Sequence, residues 1–137
     1  MNIIYKTRAT SVGGRSGHVE LDDGTLGFDM TMPGTGKAGV NPEQLFALGY
    51  AACFDSSLAA VAKQHHSSMQ HSKTTVEVGL GHPDGQSGYA LDIDIYVEMT
   101  GVTPGQASEL VEMAHQVCPY SKATRNNVEV RLHSIAK

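Results

Sequence analysis

Residues Asn41–His66, NPEQLFALGYAACFDSSLAAVAKQHH, decide how the chain is read. Asn41 can cap a helix, Pro42 suits the first helical position, and Gln44 stands where the capping-box partner belongs. No proline follows inside the stretch, so it predicts one long helix. Leu45, Phe46, Leu48, Ala52, Leu58, Ala59 and Ala62 are apolar, and Ala47, Gly49, Ala51, Ser56, Ser57 and Ala60 are small. A helix that is apolar or small nearly all round is buried on most sides. The chain has 137 residues, the length of one domain, too few to cover such a helix on every face, so oligomerisation is expected. In the middle of the helix stands Cys53. A buried cysteine is ordinarily a small hydrophobe, and the rest of the chain has to say whether this one is more.

Upstream, Ile3, Tyr5, Thr7 and Ala9 alternate with Ile4, Lys6 and Arg8, the period of a strand. Gly13-Gly14-Arg15-Ser16-Gly17 breaks it. His18–Leu21 and Leu26–Met30, joined at Asp22-Asp23-Gly24, read as a hairpin. Residues 32–40 form a Gly-rich connection without the lysine and spacing of a phosphate-binding loop. Downstream, Ser67–Lys73 is polar. Val76, Val78 and Leu80, then Leu91, Ile93, Ile95, Val97 and Met99, mark two half-buried strands around the turn HPDGQSG. Thr103-Pro104-Gly105-Gln106 repeats the cap, proline and glutamine of the first helix and opens a second, amphipathic one. It stops at Cys118-Pro119, because proline disfavours helix for itself and for its predecessor. Tyr120–Arg125 is read as one more turn, and Val128, Val130 and Leu132 as a last strand. The class is α+β, in a single domain spanning 1–137, with no βαβ repeat.

Composition narrows the function. Ten basic and fourteen acidic residues give a formal charge of -4 with no lysine or arginine run. That argues against nucleic acid and against anionic membranes as partners. The opening MNIIYKTRATS has no apolar core of a secretory leader, and no uninterrupted apolar run suits a membrane span. Two cysteines are too few for a secreted disulfide framework, so a cytoplasmic protein with reduced thiols is expected.

Cys53 and Cys118 lie on, or at the end of, helices that should pack together. Two such thiols suggest a redox pair in which one attacks and the other resolves; inert core thiols are the plainer alternative. A reactive thiol must ionise below its ordinary pKa of about 8.5. Cys53 is too deep in its helix for the N-terminal dipole to act, so a cation has to. Arg15 is the candidate, with Glu43 in the first turn of the helix able to clamp its guanidinium bidentately; a solvated loop charge and simple stabilisation of the helix dipole are the plainer alternatives for the two. Glu43 and Cys53 are separated by about 15 Å of helix, a span more easily served if two copies of the helix pack antiparallel. His65, His66 and His71 read as solvated. His115 with Cys53 and Cys118 would make at most an incomplete metal site. A redox sensor that passes oxidation to a partner is a further alternative.

The segments NPEQLFALGYAACFDSSL and AHQVCPYSKATRNNVEV, with the early GGRSG, resemble the organic hydroperoxide resistance (Ohr) group of the OsmC superfamily over essentially the whole chain. The resemblance implies a thiol peroxidase without metal or organic cofactor. It implies Cys53 as peroxidatic and Cys118 as resolving cysteine, Arg15 as the activating arginine and Glu43 as its salt-bridge partner. It further implies an intertwined homodimer, with antiparallel sheets wrapped around long central helices, reduced by lipoylated proteins. Val40, where threonine is common in the group, and Asn126, where glycine is common, depart from the pattern at positions of no expected function.

Overall fold

The computed structural model describes residues 1–137 as two compact units, Met1–Leu45 and Phe46–Lys137. In the first, β1 (Ala9–Val12), β2 (His18–Leu21) and β3 (Gly27–Asp29) form an antiparallel sheet in the order β1-β2-β3. The first strand therefore starts at Ala9, not at Ile3. The alternation of residues 3–8 is real, but no strand of the chain pairs with it, and Ile4 and Tyr5 lie exposed. The Gly-rich connection is tied at both ends: a bridge joins Met30 to Val40, and the Val40 N–H donates to the Asp29 carbonyl (3.0 Å).

Helix α1 (Pro42–Gln64) begins as its residues dictate. The Gln44 N–H donates to Asn41 Oδ1 (2.9 Å) and the Asn41 N–H to Gln44 Oε1 (2.8 Å), which closes a capping box. By length and composition alone α1 is apolar enough to cross a membrane. The requirement of an uninterrupted apolar run passes over this, because glycine, serine and Asp55 punctuate the helix. The core buries only one stripe of it: Tyr50, Phe54, Ser57, Leu58, Val61 and Ala62 at helical spacing. Burial on most sides does not occur within one chain; Leu48 is 66% exposed, and Ala52, Ala59 and Ala60 face outward.

The second unit continues with β4 (His71–Gly81) and β5 (Ala90–Thr100), an antiparallel pair in register over eleven residues each. β4 starts at His71, inside the stretch read as a polar connection: its first residues alternate exposed with half-buried. Helices α2 (Pro104–Val117) and α3 (Pro119–Thr124) follow, and then β6 (Val130–Ala136). Thr103 and Gln106 form the second capping box, and α2 ends at Cys118.

The α+β class holds, with one correction to the expected antiparallel sheets. β6 lies parallel to β5, Asp94 opposite Arg131 and Tyr96 opposite His133, so the sheet is mixed. The chain leaves β5, covers the sheet with α2 and returns beside it, a crossover that forces the parallel sense. Ile93, Ile95, Val97 and Met99 of β5 meet the α1 stripe and Ala107, Leu110, Val111 and Ala114 of α2 in one core. The opposite face of β5 carries Asp92, Asp94 and Glu98, paired with Arg131, Lys73 and Lys137.

Candidate active site

In the second unit, Cys53 sits half-buried on α1 and Cys118 is fully buried where α2 gives way to α3. The proline that stops α2 fixes the place of Cys118, which both ends α2 and caps α3. Both thiols are free, and the Cys118 S–H points at Cys53 Sγ at 3.6 Å. Closing that gap to a bond of about 2.05 Å needs a shift of one to two ångströms and no refolding.

The surroundings are aromatic. Phe46, Tyr50 and Tyr120 meet pairwise at centroid distances of 5.7–6.2 Å, and Phe54 lies 6.5 Å from Tyr50. Burial pushes the Cys53 thiol above its ordinary pKa, the Tyr120 backbone N–H pulls it down, and Cys118 pushes it up further. Burial is the largest of these influences and opposes ionisation, so a reactive Cys53 calls for a cation beyond its immediate neighbours.

In the first unit, the GGRSG segment folds into a single 3-10 turn, Gly14–Ser16. Gly13 has φ 84°, in the left-handed region, and a Cβ on Gly17 would lie 1.8 Å from the Val12 carbonyl. The bend is thus open only to glycine, and it presents Arg15. The guanidinium grips Glu43 bidentately, Nη1 to Oε2 at 2.8 Å and Nη2 to Oε1 at 2.6 Å. The hydrogen bond from Arg15 holds the Glu43 carboxyl below its ordinary pKa against a smaller effect of burial. Of the four candidate residues, the structure brings Arg15 to Glu43 and Cys53 to Cys118.

Three comparisons with known proteins give the family. The family model described as OsmC-like protein matches residues 34–133. The organic hydroperoxide resistance protein OhrB of Bacillus subtilis is 42% identical over 132 residues, 94% of this chain and 96% of that one. The chain belongs to the OsmC-like family, in its organic hydroperoxide resistance group. Solved OsmC-like structures agree: an organic hydroperoxide resistance protein from Elizabethkingia anophelis superposes with TM-score 0.90 at 43% identity, over 100% of both chains. Bacillus subtilis OhrB superposes at 0.89 with 41% identity, over 96% of this chain and 99% of that one.

One departure from the OsmC-like pattern has a physical reading here. Asn126, where glycine is common in the group, has φ 61°, and asparagine is among the few residues that tolerate that region. The other polar residues near the cysteines find structural partners. Asp55 accepts from the Ser72 and Thr74 hydroxyls of β4 (2.9 and 2.8 Å). His65, His66 and His71 are exposed. His115 directs Nδ1 to Ser121 Oγ at 2.8 Å.

Three participants escaped the sequence reading: Tyr120, whose N–H faces Cys53, and the hydroxyls of Ser121 and Thr124. The segment reads as a turn and carries the family resemblance, and neither reading says which of its side chains are buried.

Proposed function

We propose that this OsmC-like chain acts in organic hydroperoxide resistance as a cysteine-based peroxidase that reduces alkyl and fatty-acid hydroperoxides to alcohols. The observation that carries the reading is the approach of a half-buried thiol and a fully buried one to 3.6 Å inside an apolar, aromatic shell.

The Cys53 thiolate attacks the terminal oxygen of the peroxide. The O–O bond breaks, the alkoxide leaves and takes a proton to become the alcohol, and Cys53 becomes a sulfenic acid. The Cys118 thiol then attacks the sulfenic sulfur; an S–S bond forms and the hydroxyl leaves as water. An external dithiol, by family resemblance a lipoyl group on a protein, reduces the disulfide and restores both thiols. The cycle is carried by sulfur and calls on no metal or organic cofactor.

Arg15, oriented by Glu43, supplies the positive charge that Cys53 needs to ionise, and it stabilises charge developing on the peroxide oxygens. Aromatic and aliphatic side chains favour substrates with an alkyl body over hydrogen peroxide. The working form is a cytoplasmic homodimer of single-domain chains. The outward Leu48, Ala52, Ala59 and Ala60 of α1, and the unpaired Ile3–Tyr5, are apolar surface that a second copy would cover.

Thiol counting tests the reading. One equivalent of tert-butyl hydroperoxide should remove two thiols per chain from the wild type and none rapidly from Cys53→Ser. Unchanged thiols in the wild type would sink it. Steady turnover with a dithiol separates an enzyme from a one-shot redox sensor.

A further inference from the structure

The segment that carries Cys118 is held by a polar node in an otherwise apolar core. Ser121, fully buried on α3, places Oγ 2.8 Å from Tyr50 Oη of α1 and 2.8 Å from His115 Nδ1 of α2. Tyr50 Oη lies 3.2 Å from Thr124 Oγ1, and the Thr124 hydroxyl donates to the Ser121 carbonyl at 3.1 Å. The Arg125 guanidinium donates to the His115 carbonyl at 2.7 Å, fastening the end of α3 to the last turn of α2.

Three of the four contacts close by atom, and the 3.2 Å approach of Tyr50 to Thr124 is left without a proton of its own. Burial, then the Arg125 charge, hold His115 below its ordinary pKa, so its ring is neutral and Nδ1 is free to accept. Ser121 donates its one proton to Nδ1 and accepts from Tyr50. Serine and threonine on a short helix usually face water; here they are buried, where an unmet hydroxyl would be costly.

The node adjoins the reacting sulfurs through the backbone. The backbone N–H of Tyr120, the residue before Ser121, favours the ionised form of Cys53, and Cys118 caps the same six-residue helix. The Tyr120 ring lies over Gly49, where even a Cβ would come within 2.8 Å of Tyr120 Oη. A helix of six residues has too few internal hydrogen bonds to stand alone, so its place is set by what grips it.

We propose that Ser121, through Tyr50 and His115, is a positioning residue for the resolving step: it fixes α3 so that Cys118 stays within reach of Cys53. The inference rests on the peroxidase reading above, and specifies which residues set the rate of disulfide closure.

The test measures two steps separately on the full-length protein: loss of the first thiol to tert-butyl hydroperoxide, and closure of the disulfide. A 1,3-diketone probe reports the sulfenic acid that accumulates between them. Ser121→Ala should slow closure about tenfold relative to the first step, equivalent to ~1.4 kcal/mol, and trap more sulfenic acid. His115→Leu should do the same. His115→Asn, whose amide can reach the position of Nδ1, should restore closure to within about twofold, far inside that tenfold margin.

Leu58→Ala, a core truncation on α1 about 12 Å along the helix axis from Tyr50, should leave the ratio of the two steps unchanged, which separates positioning from general loosening. Wild-type closure in both Ser121→Ala and His115→Leu would overturn the proposal. If Ser121→Ala does not fold, Tyr50→Phe, which deletes a single hydroxyl, decides in its place by the same criterion. Diamide oxidises a close pair of thiols to a disulfide, itself becoming the hydrazine, without any peroxide. Slowed closure with diamide supports the positioning role even if hydroperoxide proves unreactive, so the two readings fail separately.

Discussion

Residues 1–45 and 46–137 hold their functional groups in opposite ways. In the first, a charge stands on a glycine-bent turn, 42% exposed, and is steered by one carboxylate. In the second, two sulfurs sit against three helices in an aromatic shell, with the environment opposing ionisation. The guanidinium keeps solvent access and its counter-ion; the apolar setting of the thiols is what the proposed cycle needs, to admit an alkyl peroxide and shelter a sulfenic acid. In the proposed cycle neither set of groups suffices alone. A cation on a loop has no redox chemistry, and a buried thiol pair without a cation is largely unreactive.

The comparison can be broken at four places. The largest effect belongs to the sulfurs. Cys53→Ser should reduce hydroperoxide consumption to the buffer rate, whereas Cys118→Ser should consume one equivalent and then stall or over-oxidise, read by thiol titration and mass. Next comes the bend. Gly17→Ala drives a Cβ into the Val12 carbonyl and so displaces Arg15. It should slow the first step by about 10²-fold, the scale on which ångström misplacements act. If its stopped-flow rate matched wild type, the bend would have no role in placing the cation.

A smaller effect is expected at the clamp. Glu43→Gln keeps one contact and loses the opposing charge in a partly exposed pair, so a first-step loss of about threefold to tenfold is expected. The smallest is acid sensitivity of the second unit. Asp94, bonded to Arg131 and His133, has its pKa lowered to about 2 from 3.8. A depressed carboxyl adds stability above its unfolded pKa, and that stability fades as pH falls from there through the folded value. Urea melts of Arg131→Met between about pH 4 and pH 2 should therefore show less acid-dependent loss than wild type; an identical pH profile would remove this ion pair from the account.

Much of this was legible in the sequence because local chemistry dictated it. Both capping boxes, at Asn41 and Thr103, and the stop at Cys118-Pro119 depend on residues within one turn of each other. The bidentate contact of Arg15 with Glu43 is one of the readings open to an isolated arginine and a first-turn carboxylate, and the family resemblance singles it out.

What escaped reading depends on distant partners. Residues 3–8 alternate as a strand should, yet alternation does not supply a neighbour. The parallel sense of β6 is fixed by where α2 packs, and not by anything within Val130–Ala136. Tyr50 and Ser121 are 71 positions apart, and nothing local marks a serine in CPYSKAT as buried.

The central claim is that charge from one region ionises a thiol whose burial in its own region opposes ionisation. The most direct measurement is the pKa of Cys53, followed by thiolate absorbance in Cys118→Ser, with and without Arg15→Ala. With Arg15 present it should lie well below the ordinary ~8.5; without Arg15 it should rise to that value or above it. The same low pKa in both proteins would contradict the account.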